Sequence, residues 1–245
     1  MYTYRCAFRI HATHQGENIF MSAKEKPHSG TLAIALGSPT LSQTKVTGVV
    51  TTASSILVKY DTLPGNAPNQ NGNVIAVWQD TQIPWGTAPI QKKTITGNSP
   101  KGSDAFDNLS LQSKSYIVGY STGSNLNTIC STVVFTPGNV EGTPFSTSLQ
   151  VKELDSDTLI VTFDTPVGND PKANQNWIGL WDGKSFTWDG KNRLAKVNVD
   201  KTTASGSMVL QYNLKFDTDY TLVYASGPAE TNISTALTFR TDPYK

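Results

Sequence analysis

The chain has 245 residues, a formal net charge of +1, 37% hydrophobic and 16% charged residues, and 19 Gly and 13 Pro. That apolar content over this length can bury a core, which excludes wholesale disorder. The near-neutral charge excludes the basic footprint of a dedicated nucleic-acid binder, and no apolar run approaches the roughly 18 residues that span a bilayer.

The first residues, Met1 to Ile10, contain Arg5 and Arg9 and no long apolar stretch, so they do not read as a secretory signal. The expected location is the cytoplasm, or outside the cell after release without a signal peptide. Cys6 and Cys130 are the only cysteines and stand far apart, too few for a disulfide framework. Strand-like segments follow at Tyr2 to Ala12, Asn18 to Ala23 and Thr31 to Leu36. They are expected to add strands to the unit that follows or to cover one of its sheet edges. Further along, Ile56 to Tyr60, Tyr116 to Tyr120, Leu159 to Phe163 and Tyr220 to Tyr224 are β-branched and aromatic runs bounded by turn residues. Helix signals are nearly absent: Glu occurs five times, and no long segment holds a 3.6-residue apolar period.

An internal repeat organises this pattern. Ile56–Trp78 aligns without a gap on Leu159–Trp181, at an offset of 103, with ten of 23 positions identical. The identities include Asp61/Asp164, Gly65/Gly168, Asn71/Asn174, Asn73/Asn176 and Trp78/Trp181. Trp85 falls on Trp188 at the same offset, and with one inserted residue Tyr116, Tyr120 and Phe135 fall on Tyr220, Tyr224 and Phe239. The expectation is an all-β chain of two tandem Ig-like antiparallel β-sandwiches with an N-terminal β extension. The first would span 1–139, with its repeat unit starting near 37, and the second 140–245. The strands beginning near Val74 and Trp177 should take equivalent central places.

The run Asn176-Trp177-Ile178-Gly179-Leu180-Trp181, followed by Leu214 and Tyr220-Thr221-Leu222-Val223-Tyr224, resembles small Ig- or fibronectin-III-like sandwiches. It is similar to SKICH domains and to the N-terminal domain of purple acid phosphatases, and its later strand resembles a tyrosine corner. In the first repeat Val74 and Ala76 replace Trp177 and Gly179. The resemblance implies an accessory, non-catalytic domain; fold alone does not assign function.

The candidate chemistry is thin. Gly119-Tyr120-Ser121-Thr122-Gly123 spells a nucleophile elbow, but all three histidines precede it, no helix follows, and Ser121 falls on Ala225 in the other repeat. His11, His14 and His28, with Cys6, lack the convergence that zinc needs. Asp61 and Asp164, even with Asp170, give too few acids for calcium. Asp155/Asp157 and Asp217/Asp219 read as turn residues. No catalytic residue, metal or cofactor is therefore expected, and the chain reads as a non-enzyme. The repeated tryptophans are the better signal, because indole faces cover sugar rings or protein surfaces. Trp78 and Trp181 read as core. Trp85 and Trp188, beside the Asn-rich loops of their own repeats, read as two related shallow carbohydrate sites with Asn71, Asn73, Asn174 and Asn176 as polar partners. Asn73 and Asn176 have a second reading, as braces that start the next strand. The expected function is a non-catalytic, lectin-like binding protein whose partner is a glycan or a protein surface. A self-assembling structural protein, forming homo-oligomers, is the alternative; a toxin or defence protein is the third.

Overall fold

In the computed structural model the described residues are 34–243. Strand β1 (Ile34–Leu36) precedes the repeat. The first repeat then supplies β2 (Thr40–Gln43), β3 (Lys45–Thr52), β4 (Ser55–Asp61), β5 (Val74–Trp78), β6 (Gln91–Thr94), β7 (Lys101–Phe106), β8 (Tyr116–Ser121) and β9 (Ile129–Phe135). The second supplies their counterparts, β10 (Thr143–Ser146), β11 (Ser148–Leu154), β12 (Thr158–Asp164), β13 (Trp177–Asp182), β14 (Arg193–Asn198), β15 (Ser205–Gln211), β16 (Thr218–Ala225) and β17 (Ile233–Pro243). Every pairing is antiparallel.

Each repeat packs a three-stranded sheet, β3-β4-β7 or β11-β12-β15, against a larger one built around β6-β5-β8-β9 or β14-β13-β16-β17. The three-stranded sheets alternate as half-buried strands must. Ile56, Val58 and Tyr60 point inward from β4, and Leu159, Val161 and Phe163 from β12. The larger sheets do not alternate: β5 and β8 are buried along their whole length, and β13 over all but its last residue. Their second faces are covered too. Tyr116 and Tyr220 lie near the start of the equivalent strands β8 and β16, and each hydroxyl accepts a bond from an upstream backbone N–H, Ser110 at 2.9 Å and Lys215 at 2.8 Å. This is the tyrosine corner of Ig-like sandwiches. β5 and β13 sit at equivalent central places, with Ile75 opposite Tyr120 and Ile178 opposite Tyr224. The fold is all-β, two Ig-like antiparallel sandwiches.

The repeats exchange strands. β10 of the second repeat pairs with β9 of the first, and β2 of the first pairs with β17 of the second. The registers are equivalent: Ser146 lies opposite Ser131, and Gln43 opposite Thr235. A single buried threonine makes each crossing. Thr44 donates its N–H to Ser234 O at 2.8 Å, and Thr147 donates its own to Cys130 O at 2.9 Å. The boundary expected at residue 139 follows the repeat; strand pairing crosses it in both directions. Tyr2–Ala12 and Asn18–Ala23 lie outside the described residues. The extension strand that is described, β1, pairs with β17 of the second repeat rather than with the first, because the exchange carries the chain there. The described residues form one compact unit.

Candidate functional site

Between β4 and β5, and between β12 and β13, an Asn relay holds the loop. Asn71 donates to Asn66 Oδ1 at 2.7 Å, Asn66 donates to Asn73 Oδ1 at 3.0 Å, and the Tyr120 hydroxyl donates to the same oxygen at 3.0 Å. The second repeat reproduces this through Asn174, Asn169, Asn176 and Tyr224, at 2.7, 3.2 and 3.1 Å. The backbones of Asn73 and Asn176 complete the loop by donating to Pro68 O and Pro171 O, each at 2.8 Å. Asn73 and Asn176 are fully buried, and Asn71 and Asn174 half-buried. All four are thus committed to the loop brace, which explains why both repeats carry them.

Trp85 and Trp188 reach across to the other repeat. The Trp85 indole donates to Val167 O at 2.8 Å, and the Trp188 indole to the equivalent Pro64 O at 3.1 Å. Gly65 and Gly168 stand at these contacts with φ of 81° and 78°, a conformation that suits glycine. A Cβ on Gly65 would sit 2.7 Å from Trp188 Nε1, and one on Gly168 would sit 2.9 Å from Trp85 Cδ1. The expectation that each indole lies beside the loop of its own repeat is therefore corrected: each clasps the loop of the other. Trp78 and Trp181 are buried as expected, on the sheet face away from the sandwich interior, and donate to Thr87 O and Lys191 O, both at 3.0 Å.

Where the repeats differ, two concavities appear. In the first repeat Ile83 packs with Trp78, Ile117 and Ile129, and leaves a groove of about 300 Å³ walled by Trp78, Trp85 and Leu126, with Thr87 and Asn127 at its rim. In the second repeat Phe186 stands where the first has Ile83. Its ring packs edge-on against Trp181 at 6.1 Å and Trp188 at 5.1 Å. The second difference is a charged cluster over Trp177. Trp177 and Trp181 lie 6.4 Å apart. Gly179 between them permits this, since a Cβ there would meet both rings at 2.8 Å. Arg193 lies 5.2 Å from the Trp177 ring and bonds Glu230 at 2.5 Å; the Lys196 ammonium lies 4.2 Å from the Trp177 ring. Beside it is a concavity of about 460 Å³ lined by Lys172, Gln175, Trp177, Lys196, Asn198 and Asp200, among others. The only signal for it in the sequence is the replacement of Val74 and Leu126 by Trp177 and Glu230.

The other sequence candidates take structural places. The Ser121 hydroxyl is buried and bonded to Gly123 O, Asn125 O and the Thr128 hydroxyl. Cys130 is a buried free thiol whose pKa burial pushes up. Asp217 and Asp219 grip Arg240 at 2.6 and 3.2 Å rather than standing free in a turn. Asp155 and Asp157 accept bonds from Ser156 and Thr158 in their own turn. Asp61 pairs with Lys101 at 2.8 Å. His11, His14, His28 and Cys6 lie outside the described residues. Among the described residues no group of three or more His, Cys, Asp or Glu is placed to hold a metal, and no helix is long and apolar enough to cross a membrane.

No family model matches the chain, and no curated protein matches it. Among solved structures it is similar to the two tandem V-type regions of VCBP3, a v-region-containing chitin binding protein. That match covers 85% of this chain and 100% of the other, at 11% identity and a TM-score of 0.28. It is also similar to a DUF3823 family protein from Bacteroides uniformis, over 75% of this chain and 92% of that one, at 10% identity and a TM-score of 0.26. The class of the protein, a tandem Ig-like β-sandwich, rests on the strand pairing and the tyrosine corners.

Proposed function

We propose that the chain is a non-catalytic, lectin-like binding protein whose glycan site is the groove of the first repeat. The observation that carries the reading is that groove. It offers one half-buried indole, Trp85, over a floor of buried Trp78, Ile83 and Ile129, with Thr87 and Asn127 exposed beside it. Sugars present one apolar face and a ring of hydroxyls, and such a surface suits both. The Trp85 N–H is spent on Val167, so the indole offers its ring and not its donor. On this reading the larger Phe186, packed on Trp181 and Trp188, fills the counterpart and leaves one site per chain. A glycan-array screen of the whole chain should find a neutral saccharide ligand. Ile83→Phe, which copies the second repeat, should keep the fold and abolish that signal. Undiminished binding by Ile83→Phe would place the site elsewhere.

A further inference from the structure

The concavity over Trp177 differs in chemistry from the groove of the first repeat. Of the five tryptophans, four donate their indole N–H to backbone carbonyls. Trp177 does not: it is fully buried, it lines the concavity, and its Nε1 has no hydrogen-bond partner among the described residues. Lys172 and Lys196 supply positive charge from two elements, the loop before β13 and strand β14. Lys196 makes no side-chain hydrogen bond among the described residues, although its ammonium lies over the Trp177 ring at 4.2 Å. It lies 4.0 Å from Glu230 Oε1, beyond hydrogen-bond reach, while Arg193 holds that oxygen at 2.5 Å. Gln175, Asn198 and Asp200 add groups that suit hydroxyls.

The geometry points to a binding site over Trp177 for a small hydroxylated anion, its acid group held between Lys172 and Lys196. The oxyanion accepts charge-assisted bonds from the two ammonium groups. Trp177 itself is closed to solvent, so it senses the bound anion through the ring that Lys196 and Arg193 cover. The ring hydroxyls meet Gln175, Asn198 and Asp200. A volume of about 460 Å³ suits one sugar ring better than an extended chain. The first repeat keeps an equivalent of Lys196, Lys92, but there it donates to Ser124 O at 2.9 Å, and Val74 and Leu126 replace Trp177 and Glu230.

The test follows the indole N–H signals of the intact protein by NMR, with the Trp177 signal assigned by its loss in Trp177→Val, the residue type of the first repeat. Glucuronate, glucose 6-phosphate and glucose are titrated in turn. Both anions should move the Trp177 signal saturably, with glucose at least about tenfold weaker. The stronger of the two anions tells whether carboxylate or phosphate is preferred. Lys196→Gln should weaken anion binding by about three- to tenfold, and Glu230→Leu should tighten it by releasing Arg193. Equal shifts with glucose, no saturation with either anion, or unchanged affinity in Lys196→Gln would overturn the assignment. The signal read is that of Trp177, so failure of the groove at Trp85 would leave this result unaffected.

Discussion

Asn73 and Asn176 each accept two buried hydrogen bonds on one amide oxygen, from an Asn and a Tyr. Asn73→Ala or Asn176→Ala leaves both donors unpaired, so each should cost about 2–3 kcal/mol in urea unfolding, and Tyr120→Phe about 1 kcal/mol. The two tyrosines also set an alkaline limit. Burial raises the pKa of Tyr120 and Tyr224 above the ordinary phenol value. The folded protein therefore holds these protons more tightly than the unfolded chain. The resulting stability is present below about pH 10 and is lost as the pH rises through that region. A spectrophotometric titration should show two phenols that ionise only as the protein unfolds. Lys196 shifts the other way: burial lowers its pKa, Arg193 adds to this and Glu230 opposes it. Anion binding over Trp177 should thus decline with rising pH before an ordinary lysine would deprotonate. At this scale the brace was legible, because Asx chemistry is local to the loop. The clasp was not: a repeated tryptophan reveals that both repeats need an indole, and not that each indole serves the other repeat.

At the scale of elements, the runs that form β4, β8, β12 and β16 and the central places of β5 and β13 were legible from β-branched runs, turn residues and the repeat. The exchange of β2 and β10 was not. These short strands are equivalent by sequence, and nothing in either one tells whose sheet edge it joins. The burial of both faces of β5 and β13 was hidden for the same reason, since it depends on what covers the outer face. The exchange makes a specific prediction. A single repeat, residues 140–245, would keep β10 with no β9 to receive it and leave the edge of β17 without β2. Thr147 gives too short a crossing for β10 to fold back on its own sheet. This fragment should therefore form a dimer in which each β10 pairs with the β17 of its partner, read as a doubled mass in sedimentation. A stable monomer with native-like stability would show that the exchange is dispensable.

Across the whole molecule, what the repeats share builds the body, and two of the concavities lie where the repeats differ. The Asn braces, tyrosine corners, indole clasps and crossing threonines recur and are spent on structure. Ile83 opposite Phe186, and Trp177 with Glu230 opposite Val74 and Leu126, differ, and each difference borders a concavity. The clasps and crossings join the sandwiches, so unfolding should be one cooperative transition, with probes in either repeat giving the same midpoint. Gly65→Ala puts a Cβ into Trp188 at a positive φ and should lower that shared midpoint for both repeats. The most direct measurement is the calorimetric stoichiometry of a neutral saccharide ligand on the whole chain and on Phe186→Ile. The account predicts one ligand per chain, rising to two when Phe186→Ile opens the counterpart groove. Two equal sites in the unaltered protein, or a stoichiometry unchanged by Phe186→Ile, would contradict it.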